Sequence, residues 1–165
     1  VANQQDQSIQ EVIATMTELR AKVRSLPTEA IGLRPGAEDW TIGQILMHVA
    51  MSHRFSADQI EYARRGQPVE SSYFDPNRAM MTEALSLSLA DLEQRLATEQ
   101  DRLVTWLKSV PADVWSEKYT VTLPWGTREV EVAAIGARLK SHYADHLQQI
   151  DDWLARSEQP VRTSA

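Results

Sequence analysis

Four histidines stand at positions 48, 53, 142 and 146, and two of them are four residues apart in a segment with helical periodicity. Residues four apart on a helix diverge by only about 40°, so His142 and His146 stand one turn above the other on one face. Measured from His142 at about 100° per residue, Ile135 and Trp153 fall near 20°, Leu139 near 60° and Ile150 near 80°. The pair therefore lies within the apolar stripe that must turn inward. A buried imidazole nitrogen without a partner costs on the order of 1–3 kcal/mol, and one cation can satisfy two adjacent rings at once.

Such a pair is half a site. Zinc and similar ions take at least three protein ligands, and catalytic sites leave one position open. The sequence has no cysteine, so the third ligand must be His, Asp or Glu. His48 is the best candidate, because it falls in the middle of a predicted helix among Ile45, Met51 and Phe55. His53 is five residues on, about 140° away on the wheel, and reads as structural or surface. A di-iron carboxylate cluster is excluded: it needs Glu three residues before His, and those positions hold Ile45, Ala50, Leu139 and Tyr143. Without the ion, the same pattern would be two hydrogen-bonded interior histidines. Arg138, Asp145 and Gln149 flank the His142/His146 stripe. Asp145 or Gln149 could accept the N–H that orients a ligand ring, and Arg138 could hold a substrate carboxylate; each could equally be a solvated residue at the stripe's edge.

The elements that must position these groups are helices. Ile9, Val12, Ile13, Met16, Leu19, Val23 and Leu26 recur at steps of three and four until Pro27, which predicts a helix over about 6 to 26. Thr41 with Gln44 three residues on forms a capping box, with Trp40 and Ile45 as a hydrophobic staple. The helix they start should run to Arg65, where Gly66 and Pro68 end it. Asp75-Pro76 is the expected start of a third helix through Leu85, Leu89, Leu92, Leu96, Leu103, Trp106 and Val110, broken only by Glu99 and closed by Pro111. Tyr119, Val121 and Leu123 alternate before Pro124-Trp125-Gly126, a short hairpin or an extended loop. Thr127 is the expected cap of a fourth helix through Val130, Ile135, Leu139, Leu147, Ile150 and Leu154, with a frayed tail from about residue 157. Four amphipathic helices can bury their stripes only against each other, so the expectation is an all-α four-helix bundle in a single domain spanning residues 1–165.

Composition narrows the function classes. At 165 residues, 42% hydrophobic and 24% charged, the chain reads as globular. Seventeen Lys and Arg against 23 Asp and Glu leave a net charge of −6, which offers no broad basic surface for nucleic acid. The absence of cysteine excludes a disulfide framework and a cysteine nucleophile, so any thiol chemistry must use an external thiol. The opening residues carry no signal-peptide pattern and no apolar run approaches the roughly 18 residues of a membrane span, which leaves a cytoplasmic location as the expectation.

The string WTIGQILMHVAMSH, with Trp40, Thr41, Ile45 and His48, is followed about 95 residues later by HYADHLQQI, with His142, His146, Gln149 and Ile150. In this order, and with the Pro124-Trp125-Gly126 loop before the last helix, the chain resembles the DinB-like superfamily, which includes the YfiT-like proteins, over essentially its whole length. The resemblance implies a four-helix bundle, often a homodimer, in which His48, His142 and His146 bind one divalent metal, usually zinc or nickel. It also implies small-molecule chemistry. Relatives include mycothiol-dependent maleylpyruvate isomerase and the mycothiol and bacillithiol S-transferases, while others are grouped as metal-dependent hydrolases. No residue set here matches the thiol pocket of any one branch, so mycothiol, bacillithiol and glutathione all stay open, as does the substrate.

An ion held by three neutral imidazoles keeps its double charge. It lowers the pKa of a bound water toward about 7, or deprotonates a bound thiol outright. Transfer of a low-molecular-weight thiol to an electrophile is the favoured expectation. Hydrolysis and a non-catalytic metal-binding bundle are the alternatives, and a metal-free helical interaction module is a third reading. Trp40 and Trp125 either line the mouth of the pocket or serve only the staple and the loop.

Overall fold

The computed structural model describes residues 2–157 of the chain. The tail expected to fray lies, beyond Ser157, outside the described residues. Helix α1 is Ala2–Arg24, α2 is Ile42–Arg64, α3 is Asp75–Glu83, α4 is Leu89–Ser109 and α5 is Ile135–Ser157. Two strands, β1 at Tyr119–Leu123 and β2 at Gly126–Val130, form an antiparallel hairpin between α4 and α5. Both α1 and α2 pack on both α4 and α5, so the order around the bundle is α1, α4, α2, α5. The inward stripes read from the periodicity are the core: Leu19, Ile45, Leu96, Leu103, Ile135 and Ile150 are fully buried.

Helix α2 starts as expected. Thr41 Oγ1 accepts from the Gln44 backbone N–H at 3.2 Å, and Gln44 Oε1 accepts from the Thr41 N–H at 3.0 Å. At its far end Gly66 takes φ +64°, the left-handed conformation that reverses the chain at little steric cost.

The expected third helix is two. α3 ends at Glu83, and α4 begins after Ser88, whose side chain caps the Asp91 N–H while the Asp91 carboxylate accepts from the Ser88 N–H. This second capping box ends the apparent continuity of Leu85 and Leu89. Leu85, placed in the stripe by spacing alone, is 59% exposed. Asp75 is not a cap: it is the first residue of α3, and Phe74 occupies the cap position without a side-chain bond. Separating α3 from α4 lets it lie across α2, where Gln44 Nε2 donates to the Met81 carbonyl at 3.1 Å. Glu99, the interruption in the α4 stripe, is buried against Arg54 of α2, which donates two hydrogen bonds to its carboxylate. A buried carboxylate is tolerable when a guanidinium answers it in this way.

Thr127 does not cap a helix either. It lies in β2 opposite Thr122, and α5 begins eight residues later, after a turn of 3₁₀ helix at Val132–Ala134. The hairpin is the sheet alternative left open by the alternating residues. Val121, Leu123 and Val130 turn inward, Pro124-Trp125 makes the two-residue turn, and β1 packs on α2. The Val69 N–H, bonded to the Thr122 carbonyl at 2.9 Å, ties the segment after α2 to the same strand.

Candidate metal centre

His48 lies on α2 about two turns after the Thr41 cap, and His142 and His146 lie one turn apart on α5, which packs against α2. The three rings meet edge to face, with centroids 4.5 to 5.2 Å apart. Their Nε2 atoms converge: His142 Nε2 is 3.2 Å from that of His48 and 3.0 Å from that of His146, and one ligand atom from each ring lies within 4.8 Å of the others. All three rings are half-buried.

Neutral rings alone cannot satisfy this arrangement. His146 Nδ1 lies 2.9 Å from Gln149 Oε1, an acceptor, so in the neutral ring Nδ1 carries the hydrogen and Nε2 presents a lone pair. His142 Nε2 then faces two ring nitrogens. If it is protonated it can donate to only one of them; if it is not, it confronts the His146 lone pair. No tautomer of neutral rings makes both contacts favourable, whereas a cation satisfies all three nitrogens. Tetrahedral coordination at the usual zinc–nitrogen length sets ligand nitrogens about 3.4 Å apart, within a few tenths of an ångström of the two separations measured from His142 Nε2.

The environment favours neutral imidazoles, the form that ligates. Burial first, and then the proximity of His146 and His142, lowers His48 to about 4. His142 is lowered by burial and then by His146, with the Asp145 carboxylate opposing. The three-histidine cluster fits a metal site and is the one such group found among the described residues.

The flanking residues part company. Gln149 reaches His146. Asp145 is exposed and acts on His142 only through space. Arg138 is not brought to the cavity that His48 lines. Its side chain enters a separate cleft with Lys118, Glu129 and Glu131 at the foot of the hairpin, where its Nε and Nη2 are buried without a hydrogen-bond partner. His53 does not join the cluster and lies in the core. Fully buried, it bonds the Ala50 carbonyl through Nδ1 at 3.2 Å and accepts from the Tyr143 hydroxyl at Nε2. It is structural.

One face of His48 opens onto a cavity of about 560 Å³ between α2, α3 and the hairpin turn. Trp40, Met51, Phe55, Phe74, Met81 and Trp125 wall it. Trp40 stacks near His48 with ring centroids 5.1 Å apart, and its carbonyl accepts from Trp153 Nε1 at 2.9 Å. The sequence does not foretell the α3 wall, because Met81 falls in the stretch expected to open one long helix and Phe74 stands just before it. The aromatic residues before Asp75 were the available signal.

Similarity to known proteins agrees with this architecture. No curated protein matches the chain in sequence. Among solved structures, a mycothiol-dependent maleylpyruvate isomerase superposes with a TM-score of 0.65 at 15% identity, covering 90% of this chain and 60% of the isomerase. The chain thus spans about 60% of that protein's length. YfiT from Bacillus subtilis, described as a probable metal-dependent hydrolase with an unusual four-helix bundle topology, superposes with the same score and identity over 94% of this chain and 90% of its own. A protein from Streptococcus pneumoniae gives a TM-score of 0.64 at 16% identity, with coverage of 92% and 90%. At these identities the likeness establishes the fold. The sequence pattern of the DinB superfamily matches residues 4–150, nearly all of the bundle and every histidine of the cluster, and the chain belongs to that superfamily.

Proposed function

We propose that this protein is a metal-dependent enzyme that transfers a low-molecular-weight thiol to an electrophilic small molecule, with zinc or nickel held by His48, His142 and His146. The observation that carries the proposal is the convergence of three imidazole Nε2 atoms beside a cavity, with no carboxylate among them. When bound, the ion supplies Lewis acidity, lowering the pKa of a thiol or water at its open position. Gln149 holds the His146 ring in the ligating tautomer, and the Asp145 carboxylate offsets part of the charge gathered there. In the transfer the thiol gives its proton to solvent, sulfur bonds to the electrophilic carbon, and a leaving group departs with its electron pair.

The largely apolar walls favour an organic acceptor over a water-filled site, and a chain without cysteine must draw its sulfur from outside. The isomerase that shares the fold is mycothiol-dependent, which suits the same reading. Hydrolysis is the second reading, favoured by the description of YfiT.

The test is metal content per chain on protein purified without chelator, followed by thiol consumption with electrophiles. About one ion per chain, almost none in a His142→Ala/His146→Ala variant, and metal-dependent thiol consumption are expected. A protein that stays empty after incubation with zinc, nickel and iron(II) while remaining helical refutes the enzyme. Metal-dependent ester or amide cleavage without thiol use selects the hydrolase.

A further inference from the structure

The cavity beside His48 is built from aromatic rings, and two of them are poorly covered. Trp125 is 68% exposed at the hairpin turn and Trp40 is 41% exposed; with Leu85 they are the exposed large hydrophobic residues among those described. Both tryptophans border the cavity. Large apolar side chains left in water beside a concave surface mark a place where an apolar ligand is covered.

The rings form one continuous wall. The Trp125 centroid is 5.0 Å from that of Phe74, and Phe74 is 5.5 Å from Phe55. Phe55 is held in turn by the Arg128 guanidinium 5.4 Å from its centroid, and Arg128 donates to the buried Gln59 Oε1 at 2.5 Å. The wall is thus set before any ligand arrives.

Polar groups are few. The Ser52 hydroxyl gives its hydrogen to the Val49 carbonyl at 2.6 Å, and Arg78, largely in water, stands at the rim with Asp75 4.0 Å away. Asn77 is the remaining polar side chain apart from His48. A sugar or a polyanion would leave most of its polar groups unpaired against the rings, whereas a flat apolar molecule would gain ring contacts of about 0.5–1.5 kcal/mol each beyond its area burial.

We propose that the acceptor is an uncharged aromatic electrophile, seated against the Phe55, Phe74 and Trp125 wall with its reactive carbon toward His48. This rests on the thiol-transfer reading of the metal centre. The thiol proton passes to solvent, the sulfur–carbon bond forms, and the bond to the leaving group breaks with its electron pair.

The experiment has two arms. The first titrates N-phenyl-1-naphthylamine, a neutral aromatic that fluoresces in apolar surroundings, into zinc-loaded and metal-free protein. Saturable binding at one site per chain is expected in both forms. Affinity should fall at least tenfold in Met81→Asp and in Phe74→Ser, each checked for unchanged helix content by circular dichroism. The second arm compares 1-chloro-2,4-dinitrobenzene with iodoacetamide as acceptors for glutathione on the zinc-loaded protein, and preference for the aromatic acceptor should drop at least tenfold in Met81→Asp. No saturable binding of the probe, or equal affinity in both folded variants, overturns the inference. Thiol transfer that favours iodoacetamide overturns it while sparing the thiol reading. Aromatic binding that follows the variants, with no thiol consumed when glutathione, mycothiol and bacillithiol are each supplied, supports the aromatic cavity and overturns thiol transfer.

Discussion

Replacing Gln149 with Leu removes a side chain that fixes the tautomer of a cluster histidine, through the 2.9 Å contact between His146 Nδ1 and Gln149 Oε1. With the acceptor gone, the hydrogen is free to move to Nε2, the atom that must present a lone pair. Loss of such an orienting partner lowers metal affinity by about 10- to 100-fold, or roughly 1.4–2.7 kcal/mol. The apoprotein loses only an ordinary half-buried hydrogen bond, on the order of 1 kcal/mol, so the effect falls mainly on the metal-bound state. The assay is competition for zinc against a chromophoric chelator at fixed pH. Gln149→Glu, which keeps an acceptor, should retain wild-type affinity, and Gln148→Leu, an exposed neighbour bonded to Asp152, should leave it unchanged. Affinity of Gln149→Leu within twofold of wild type, or an equal loss in Gln148→Leu, would refute the reasoning.

Three further outcomes are expected. Arg54→Met strands the buried Glu99 carboxylate and should destabilise the fold by about 3–5 kcal/mol in urea unfolding, whereas the double change Arg54→Met/Glu99→Leu should recover most of the loss. Burial first lowers His53 to about 4 in the folded state, against 6.5 for the unperturbed side chain. Between those values the unfolded state binds more protons, so stability is lost as pH falls from about 6.5 to about 4, by up to roughly 3 kcal/mol. Denaturation of metal-free protein across that range should show this slope, and His53→Gln should flatten part of it. Ser88→Ala removes one half of the capping box at the start of α4 and should cost about 1 kcal/mol, read as a fall of roughly 2–4 °C in melting temperature.

Much of the bundle was legible in the residues because helical periodicity and capping chemistry are local. Thr41 and Gln44 sit three apart and bond each other in the fold as their types require. The errors are local too. Leu85 and Leu89 kept the helical interval across a break, and only Ser88 with Asp91 announced it. Thr127 looked like a cap because a capping residue and a strand residue carry the same hydroxyl. Its pairing with Thr122 is decided by the partner strand.

The shared face of His142 and His146 follows from a spacing of four, and their inward aim follows from the stripe around them. A helix wheel gives an angle about an axis and nothing about what stands opposite. It therefore placed Arg138 beside the histidines, while the tertiary structure puts its guanidinium in the cleft at the hairpin foot. The meeting of His48 with His142, 94 residues away, depends on α2 packing against α5. The cavity depends on α3 and a two-residue hairpin turn closing around His48. Residue types and spacing determined which groups could ligate, because ligand chemistry and helical phase are properties of short segments. Only packing between distant segments decided that three nitrogens share one point and that aromatic rings stand beside it.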